Sequence, residues 1–196
     1  MKKQIVIASH NPNKIKEFKE IFKDTDFEVL GLNDIGFNEE IIEDGETFQD
    51  NALIKAMYVH NITNLPVIAD DSGLSVNALD GFPGVNSARF MKDSPYTEKN
   101  KAINEMLINH SDKSAKFIAA IALVGVDAFP QVFVGEVKGL IIAEERGENG
   151  FGYDPIFFYP DLQKTFGELT INEKQGISHR GRASALLIEY LKEHLI

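Results

Sequence analysis

The sequence contains no cysteine, and this absence excludes disulfides, thiolate metal sites and cysteine nucleophiles. It also has no run of about 18 apolar residues, so no membrane span is predicted. The short apolar stretch from Ile5 to Ala8 is too brief for the core of a signal peptide. Together these features favour a cytoplasmic protein that has no membrane partner.

A surplus of basic residues is also missing. The 196 residues include 20 Lys and Arg against 30 Asp and Glu, which gives a net charge of −10. A nucleic-acid polymer usually requires a basic surface, and an anionic membrane makes the same demand. We therefore expect neither partner. A small phosphorylated ligand is compatible with this charge, because it needs only a few local cations and a metal ion.

The acidic excess is confined to one segment. From Asp24 to Asp50 the chain has ten acidic residues and no Lys or Arg, so the rest of the chain carries 20 residues of each sign. We expect most of these acids on a solvated face. Some of them come just before a predicted helix and are candidates to bring one carboxylate to a metal ion, and position alone does not choose among Glu39, Glu40, Glu43 and Asp44.

Predicted strands and helices alternate irregularly along the chain. Short β-branched runs and apolar residues at helical spacing mark these elements. The predicted strands are 5–8, 27–32, 66–69, 117–126 and 131–143, and the predicted helices are 15–22, 47–60, 97–109 and 182–195. This order favours a mixed α/β sheet over a purely parallel fold. The length, with no repeat or low-complexity linker, predicts a single domain over 1–196.

Two segments after buried strands carry groups suited to phosphate and metal. The turn Ser9–Lys14 opens a helix, where unpaired backbone N–H groups and the helix dipole favour an anion. Asp70 and Asp71 follow the strand 66–69, where open sheets bind ligands. Neighbouring strand residues point to opposite faces, so one carboxylate is expected in a cleft, where it would hold Mg²⁺ or accept a proton. The ordinary alternatives are a solvated lysine and a capped turn.

Two later segments carry aromatic and cationic residues. Phe151-Gly152-Tyr153-Asp154-Pro155 offers two rings to stack on a flat base and an aspartate to accept from its edge. The segment from Lys174 to Arg182, ahead of the last predicted helix, offers donors to phosphate or carbonyl oxygens. Lys55, within the second predicted helix, is either a phosphate contact or a surface lysine. A packed aromatic loop and a solvated basic loop are the ordinary alternatives for the two segments.

Taken together, these segments resemble the inosine triphosphatase family, nucleoside triphosphate pyrophosphatases that act on deaminated purines. Six motifs in family order carry the resemblance: Ser9-His10-Asn11-Pro12-Asn13-Lys14, Thr47-Phe48-x-x-Asn51-Ala52-x-x-Lys55-Ala56, Ala69-Asp70-Asp71-Ser72-Gly73-Leu74, Pro83-Gly84-x-x-Ser87-Ala88-Arg89, Gly150-Phe151-Gly152-Tyr153-Asp154-Pro155-Ile156-Phe157 and Ile177-Ser178-His179-Arg180. Each motif alone is weak, but six in register are specific. The chain departs from the family pattern at Ser9, which replaces Thr, at His10 and Asn13, where small residues are common, and at Asn86, where an aromatic residue is frequent.

The resemblance implies a long twisted mixed β-sheet flanked by helices, two lobes with a central cleft, and a homodimer. It implies Mg²⁺-dependent hydrolysis of ITP, dITP or XTP to the monophosphate and pyrophosphate, which clears damaged nucleotides from the pool. Asp71 is then the catalytic residue and a metal ligand, supported by Asp70. Glu43 is chosen as the second metal carboxylate, and Glu40 is its competitor.

The resemblance also implies a set of substrate-binding residues. They are Ser9, His10, Asn11, Pro12, Asn13, Lys14, Lys55, Ser72, Arg89, Phe151, Gly152, Tyr153, Asp154, Lys174, His179 and Arg180. Lys14 and Lys55 would meet the phosphates, and the cationic segment would donate to the 6-oxo group that distinguishes hypoxanthine and xanthine from adenine. Two alternatives stay open: a nucleotide-binding sensor without turnover, and a pyrophosphatase of modified pyrimidine nucleotides.

Overall fold

Seven strands pair into one sheet in the computed structural model, which describes residues 3–195. The strands are β1 (Lys3–Ile7), β2 (Phe27–Gly31), β3 (Val67–Val76), β4 (Ser114–Val124), β5 (Gln131–Ile141), β6 (Phe157–Tyr159) and β7 (Lys164–Thr165). Their order is β2-β1-β3-β4-β5-β6-β7. β1 is parallel to β2 and β3, whereas β6 is antiparallel to β5 and β7. The predicted mixed α/β sheet is confirmed.

Helices flank the sheet: α1 (Pro12–Ile21), α2 (Phe48–Thr63), α3 (Tyr96–Met106), α4 (Ile171–Gln175) and α5 (His179–Leu195). α2 begins after a reciprocal capping box formed by Thr47 and Asp50, which fits the predicted start of this helix at residue 47. α1 begins earlier than predicted, since Asn11 caps it and proline suits the first helical position. The predicted helix 97–109 is observed as α3, which ends at Met106. No helix within residues 3–195 is long and apolar enough to cross a membrane.

β3 runs beyond its predicted end. The predicted strand ends at Ala69, with a capped turn as one alternative for the residues that follow, whereas the observed strand continues through Gly73 to Val76. The two carboxylates are tolerated inside the strand because lysines balance their charge. Asp70 lies 2.8 Å from Lys14, and Asp71 lies 3.5 Å from Lys55. These contacts between distant segments outweigh the local turn propensity of Asp-Ser-Gly.

α5 also begins earlier than predicted. His179 and Arg180 were expected in a loop ahead of the helix, whereas they form its first turn. Both side chains are buried, at 5% and 1% exposure. A loop needs solvent around its polar groups, and here the cationic residues gain protein partners instead, which favours the helical conformation.

The chain divides into two compact units. The first contains the chain up to Asp71, Ala119–Gly135 and the chain from Arg180 onward, and the second contains Ser72–Ile118 and Glu136–His179. In the first unit, Ile5, Phe18 and Leu187 belong to one apolar core. In the second, Leu74, Phe117 and Phe157 belong to another. The single domain over 1–196 and the central cleft stay predictions.

Candidate active site

Two lysines converge on Asp70 in the first unit. Lys14 Nζ lies 2.8 Å from the Asp70 carboxylate and donates to the Asp70 carbonyl oxygen at 3.2 Å. Lys55 Nζ donates to the same carbonyl oxygen at 3.1 Å. The lysine side chains are only 16% and 9% exposed. Helices α1 and α2 thus bring two largely desolvated cations to one residue of β3.

A chain of charges extends from Lys14 through Asp70. Arg180 Nη2 lies 3.0 Å from the Asp70 carboxylate, and Arg180 Nη1 pairs with Glu17. Burial alone would raise the pKa of the Asp70 carboxyl, but Arg180 and Lys14 outweigh it and hold that pKa well below its usual range. Burial lowers the pKa of Lys14, although Asp70 opposes the shift. Asp70 is therefore a fixed anion that balances two cations.

Asp71 has a different environment from its neighbour. Its Oδ1 lies 3.5 Å from Lys55 Nζ, and burial raises the pKa of its carboxyl although Lys55 and Lys14 oppose the shift. Its Oδ2 is buried and has no hydrogen-bond partner among residues 3–195. A carboxylate with a raised pKa is the better proton acceptor of the two, and its remaining oxygen is available to a ligand.

Glu43 differs from the other acids of the segment from Asp24 to Asp50. The nine others are exposed, whereas Glu43 is half-buried. Its Oε2 lies 3.0 Å from Lys55 Nζ, so Lys55 contacts Glu43 as well as Asp71. The competing acid Glu40 is exposed, and Glu39 accepts a hydrogen bond from the Tyr58 hydroxyl. Among the four acids that the sequence leaves open, the structure brings Glu43 to the lysine cluster.

The donor set at this cluster is suited to a hard cation. In the described part of the chain, no group of three or more His, Asp or Glu side chains is placed to hold a metal ion. Mg²⁺, however, usually takes one or two carboxylates and completes its shell with waters and substrate phosphates. Asp71 and Glu43 both contact Lys55, and the buried Asp71 Oδ2 has no protein partner among these residues. These two carboxylates fit Mg²⁺ that is bound together with a phosphate.

The Ser9–Lys14 turn is partly closed by its own side chains. Asn11 Oδ1 accepts from the backbone N–H groups of Asn13 at 2.9 Å and Lys14 at 3.4 Å. Ser9 Oγ accepts from Asn11 N at 3.1 Å, and Pro12 has no N–H to offer. His10 is exposed, with a ring nitrogen 3.4 Å from the Glu39 carbonyl oxygen. Of the groups in this turn, the Lys14 ammonium is therefore the one best suited to a phosphate.

A buried ion pair anchors the aromatic loop of the second unit. Lys174 Nζ lies 2.7 Å from Asp154 Oδ2, and that oxygen also accepts from Phe151 N at 2.8 Å. Lys174 lies over the Phe151 ring, 5.2 Å from its centroid. Gly152 has a φ of +71°, which favours glycine. The predicted residues Phe151, Asp154 and Lys174 are thus brought together, with the charge of Lys174 balanced by Asp154.

Tyr153 and Arg89 differ from the sequence-based expectation in their surroundings. Tyr153 is 3% exposed, and its hydroxyl donates to the Ser87 carbonyl oxygen at 2.8 Å. Burial raises the pKa of that hydroxyl. Tyr153 therefore packs in the core and supports the Ser87-Ala88-Arg89 motif. Arg89 is exposed and donates to the Val85 carbonyl oxygen at 3.3 Å, while Ser72 is half-buried in β3.

The predicted set Lys174, His179 and Arg180 is distributed over separate contacts. The His179 ring stacks on Phe117 in the second unit, with ring centroids 4.8 Å apart. Arg180 belongs to the first unit, where it pairs with Asp70 and Glu17. Arg180 thus supports the lysine cluster of the first unit.

Comparison with known proteins identifies the family. The model of the Ham1 family matches residues 5–190. The chain belongs to the Ham1 family. It is 45% identical over 193 residues to the dITP/XTP pyrophosphatase of Bacillus subtilis (strain 168), covering 97% of this chain and 98% of that protein. It is 43% identical over 182 residues to the dITP/XTP pyrophosphatase of Desulfotalea psychrophila, covering 92% and 82%.

Solved Ham1 structures agree in fold. The Staphylococcus aureus Ham1 protein superposes with a TM-score of 0.87 at 42% identity, covering 97% of this chain and 99% of that one. A HAM1 protein from Coxiella burnetii gives 0.89 at 41% identity, with the same coverage. The family resemblance that the six motifs indicate is confirmed.

One residue that contacts the lysine cluster was not predicted from the sequence. Glu17 completes the charge chain through Arg180, and it lies three residues after Lys14 on α1. Residues three apart share one face of a helix. A carboxylate three residues after Lys14, a candidate phosphate-binding lysine, was therefore the feature of the sequence that could have indicated Glu17. Its partner Arg180 lies too far along the chain for spacing to indicate the pair.

Proposed function

We propose that this chain hydrolyses noncanonical purine nucleoside triphosphates, namely ITP, dITP and XTP, to the monophosphate and pyrophosphate. Relatives named dITP/XTP pyrophosphatase, matched over nearly the whole chain, support the substrate class. The observation that carries the proposal is the convergence of Lys14 and Lys55 on Asp70, next to the Asp71 carboxylate. This cluster combines buried cations for phosphate oxygens with a proton acceptor.

Mg²⁺ is the proposed cofactor, with Asp71 and Glu43 as its protein ligands. The charged groups of the cluster are Lys14, Lys55 and Arg180 against Glu17, Glu43, Asp70 and Asp71, and 3 − 4 leaves a net charge of −1. A triphosphate is itself an anion and needs further positive charge. When bound, the metal supplies this charge and polarises phosphate oxygens.

The proposed reaction is attack of water on the α-phosphorus. A bond forms between the water oxygen and the α-phosphorus, the bond from that phosphorus to the pyrophosphate oxygen breaks, and Asp71 accepts the proton. The Asp71 Oδ2 atom has no hydrogen-bond partner among residues 3–195, so it is available to take this proton. Lys14 and Lys55 donate to phosphate oxygens and stabilise the developing charge. Asp70 keeps both ammonium groups in place through its carboxylate and carbonyl oxygens.

For the base we propose contacts from the second unit. Lys174 and His179 donate to the 6-oxo group, and Phe151 contacts the ring. Adenine carries an amino donor at that position, so it would leave buried donors unpaired, and such mismatches reduce kcat/KM by about 10⁴–10⁵-fold. The Asp154–Lys174 pair supports this role because it fixes the lysine beside Phe151.

The same proposal includes a cytoplasmic homodimer that has no nucleic-acid polymer as a partner. The net charge of −10 supports the exclusion of a polyanion. Light scattering during size-exclusion chromatography measures the oligomeric state directly, and a monomer at micromolar concentration would contradict the dimer.

A nucleotide panel tests the function. ITP, dITP, XTP, ATP, GTP, dUTP and methylated pyrimidine nucleotides are incubated with the protein and Mg²⁺, and pyrophosphate and orthophosphate are measured separately. We expect pyrophosphate as the first product, with ITP and XTP preferred. Orthophosphate as the first product would contradict attack at the α-phosphorus. Tight ITP binding without product would indicate a sensor, and preference for pyrimidine nucleotides would indicate the other alternative.

A further inference from the structure

We infer that Asn51 is a positioning residue whose side-chain oxygen holds the segment that carries Glu43 and so places Glu43 beside Lys55. Asn51 is part of a motif of the second helix for which the proposed function supplies no role. The consequence for catalysis rests on the proposed role of Glu43, but the contact itself does not.

Glu43 lies in a segment that needs external support. Residues 37–47 form neither helix nor strand. Gly45 N, close after Glu43, donates to Asn51 Oδ1 at 2.8 Å. A Cβ atom at Gly45 would lie 2.7 Å from Asp50 Cβ and 2.8 Å from Asn51 Oδ1. Only glycine allows the segment to approach the first turn of α2 this closely, and Asn51 accepts the bond that the approach makes possible.

Asn51 and Lys55 act from the same face of α2. They are four residues apart, so their side chains are neighbours on the helix surface. Asn51 is fully buried at 0% exposure, and its oxygen is bound to Gly45 N. Lys55 Nζ holds Glu43 Oε2 at 3.0 Å. One helix face therefore secures the segment at two points, Gly45 and Glu43.

The Glu43–Lys55 pair is insufficient by itself to fix the segment. The Glu43 side chain is 33% exposed, and partly exposed ion pairs hold their groups weakly because water competes for them. The hydrogen bond from Gly45 is partly buried and ends on the fully buried Asn51 side chain, so water competes for it less. Without the Asn51 oxygen we expect Glu43 to leave Lys55 for part of the time, which removes the second carboxylate from the proposed metal site.

Hydrogen exchange of the Gly45 amide, measured by NMR on the metal-free protein, tests the contact. We expect a protected Gly45 amide in the wild type and a loss of protection of about tenfold in Asn51→Ala. Asn51→Asp retains an oxygen at the same place and should retain the protection. Asn61→Ala is the matched control, because Asn61 lies on the same helix and is exposed; it should leave Gly45 unchanged. Equal exchange in wild type and Asn51→Ala would overturn the inference.

The Mg²⁺ dependence of pyrophosphate release tests the consequence. Loss of groups that orient metal ligands typically weakens metal affinity by about 10–100-fold, and we expect Asn51→Ala to raise the half-saturating Mg²⁺ concentration within this range. Asn61→Ala should not change it. Since Asn51 acts through Glu43, the double variant Glu43→Gln/Asn51→Ala should require no more Mg²⁺ than Glu43→Gln alone. If the double variant instead raises the half-saturating Mg²⁺ concentration by the product of the two single effects, Asn51 acts independently of Glu43 and the inference is overturned.

Two outcomes separate this inference from the proposed function. If the wild type hydrolyses none of the nucleotides, the proposed function fails, and the exchange of the Gly45 amide still decides the role of Asn51. If Asn51→Ala does not fold, the wild type and Asn51→Asp decide it. A Gly45 amide that exchanges as fast in the wild type as an unstructured glycine overturns the inference.

Discussion

Asp70 and Asp71 are adjacent in sequence and differ in what they can do. Asp70 is held between Lys14 and Arg180, which keeps its carboxyl ionised. Asp71 has only Lys55 within ion-pair distance among the described residues, and burial raises its pKa. Two carboxylates with separated pKa values take separate roles. We therefore assign charge balance to Asp70 and proton transfer to Asp71.

Asp71→Asn should lower kcat for ITP by at least about a hundredfold, because removal of a general base typically costs 10²–10⁴. The change keeps the size of the side chain and removes the proton acceptor. Initial rates of pyrophosphate release at saturating ITP and Mg²⁺ measure it. Asp44→Asn, at an exposed acid of the neighbouring segment, is the control and should retain wild-type kcat. Near-normal turnover of Asp71→Asn would remove Asp71 from the chemistry.

Glu43→Gln should raise the Mg²⁺ requirement more than Glu40→Gln does. Glu43 contacts Lys55 beside Asp71, whereas Glu40 is exposed. Loss of one carboxylate ligand weakens affinity for a hard cation. Titration of pyrophosphate release with Mg²⁺ compares the two variants, and the reverse order would show that Glu40 is the second ligand.

Single residues were predictable from the sequence where local chemistry was sufficient. Thr47 with Asp50 was recognisable as a capping box. Local chemistry was insufficient for Tyr153 and Arg180, whose hydroxyl and guanidinium groups bond to partners far along the chain. A tyrosine in a Gly-rich loop looks available to a ligand, and only the tertiary contact with Ser87 shows that it is buried.

At the scale of elements, the types of the long elements were predictable but their ends were not, and the short elements β6, β7 and α4 were not predicted. Apolar periodicity located α2 and the start of β3, because burial of one face imposes it. The end of β3 depends on lysines from α1 and α2 that balance its carboxylates. The start of α5 likewise depends on Asp70 and Glu17. Such ends are set by contacts between elements, which a local pattern does not contain.

Asp70→Asn should destabilise the protein by about 3–5 kcal/mol at pH 7, because it leaves Lys14 and Arg180 buried without their shared counter-charge. The folded-state pKa of Asp70 lies below its unfolded value. The contribution of the carboxylate to stability is therefore complete above the unfolded pKa of about 3.9 and declines as the pH falls below it. The free-energy difference between wild type and variant should thus be constant from neutral pH to about 5 and narrow below about 4.

Urea unfolding at several pH values measures this difference. Glu20→Gln is the matched control, because Glu20 of α1 pairs with Lys23 just after the helix and both side chains are partly exposed. Surface pairs contribute about 0–1 kcal/mol. An Asp70→Asn variant as stable as this control would mean that the charges of Lys14 and Arg180 do not depend on the Asp70 carboxylate for their compensation.

At the scale of the whole molecule, the sequence predicted the class of sheet but not its strand order. β1 pairs with β3 across the intervening α1, β2 and α2, and β6 with β7 form an antiparallel end. Pairing between distant strands depends on which apolar faces meet, and the pattern of one strand is compatible with several neighbours. The family resemblance supplied the mixed sheet that composition and spacing only favoured.

The nine exposed acids of the segment from Asp24 to Asp50 affect the encounter between the protein and its substrate. An anionic nucleotide that approaches a protein of net charge −10 is repelled at long range, before the lysines of the site act on it. Neutralising members far along the chain from Glu43, as in Asp24→Asn/Asp26→Asn, should raise kcat/KM about two- to threefold at low ionic strength and leave kcat unchanged. The gain should vanish at about 0.3 M salt, where charges are screened within several ångströms. An unchanged kcat/KM at low salt would mean that the electrostatic field of these acids does not slow the diffusional encounter of nucleotide and protein. If the gain is found, the exposed acids of this segment slow the association of nucleotides with the protein. Glu43 of the same segment has the opposite effect in our proposal, because it binds the Mg²⁺ that the reaction needs.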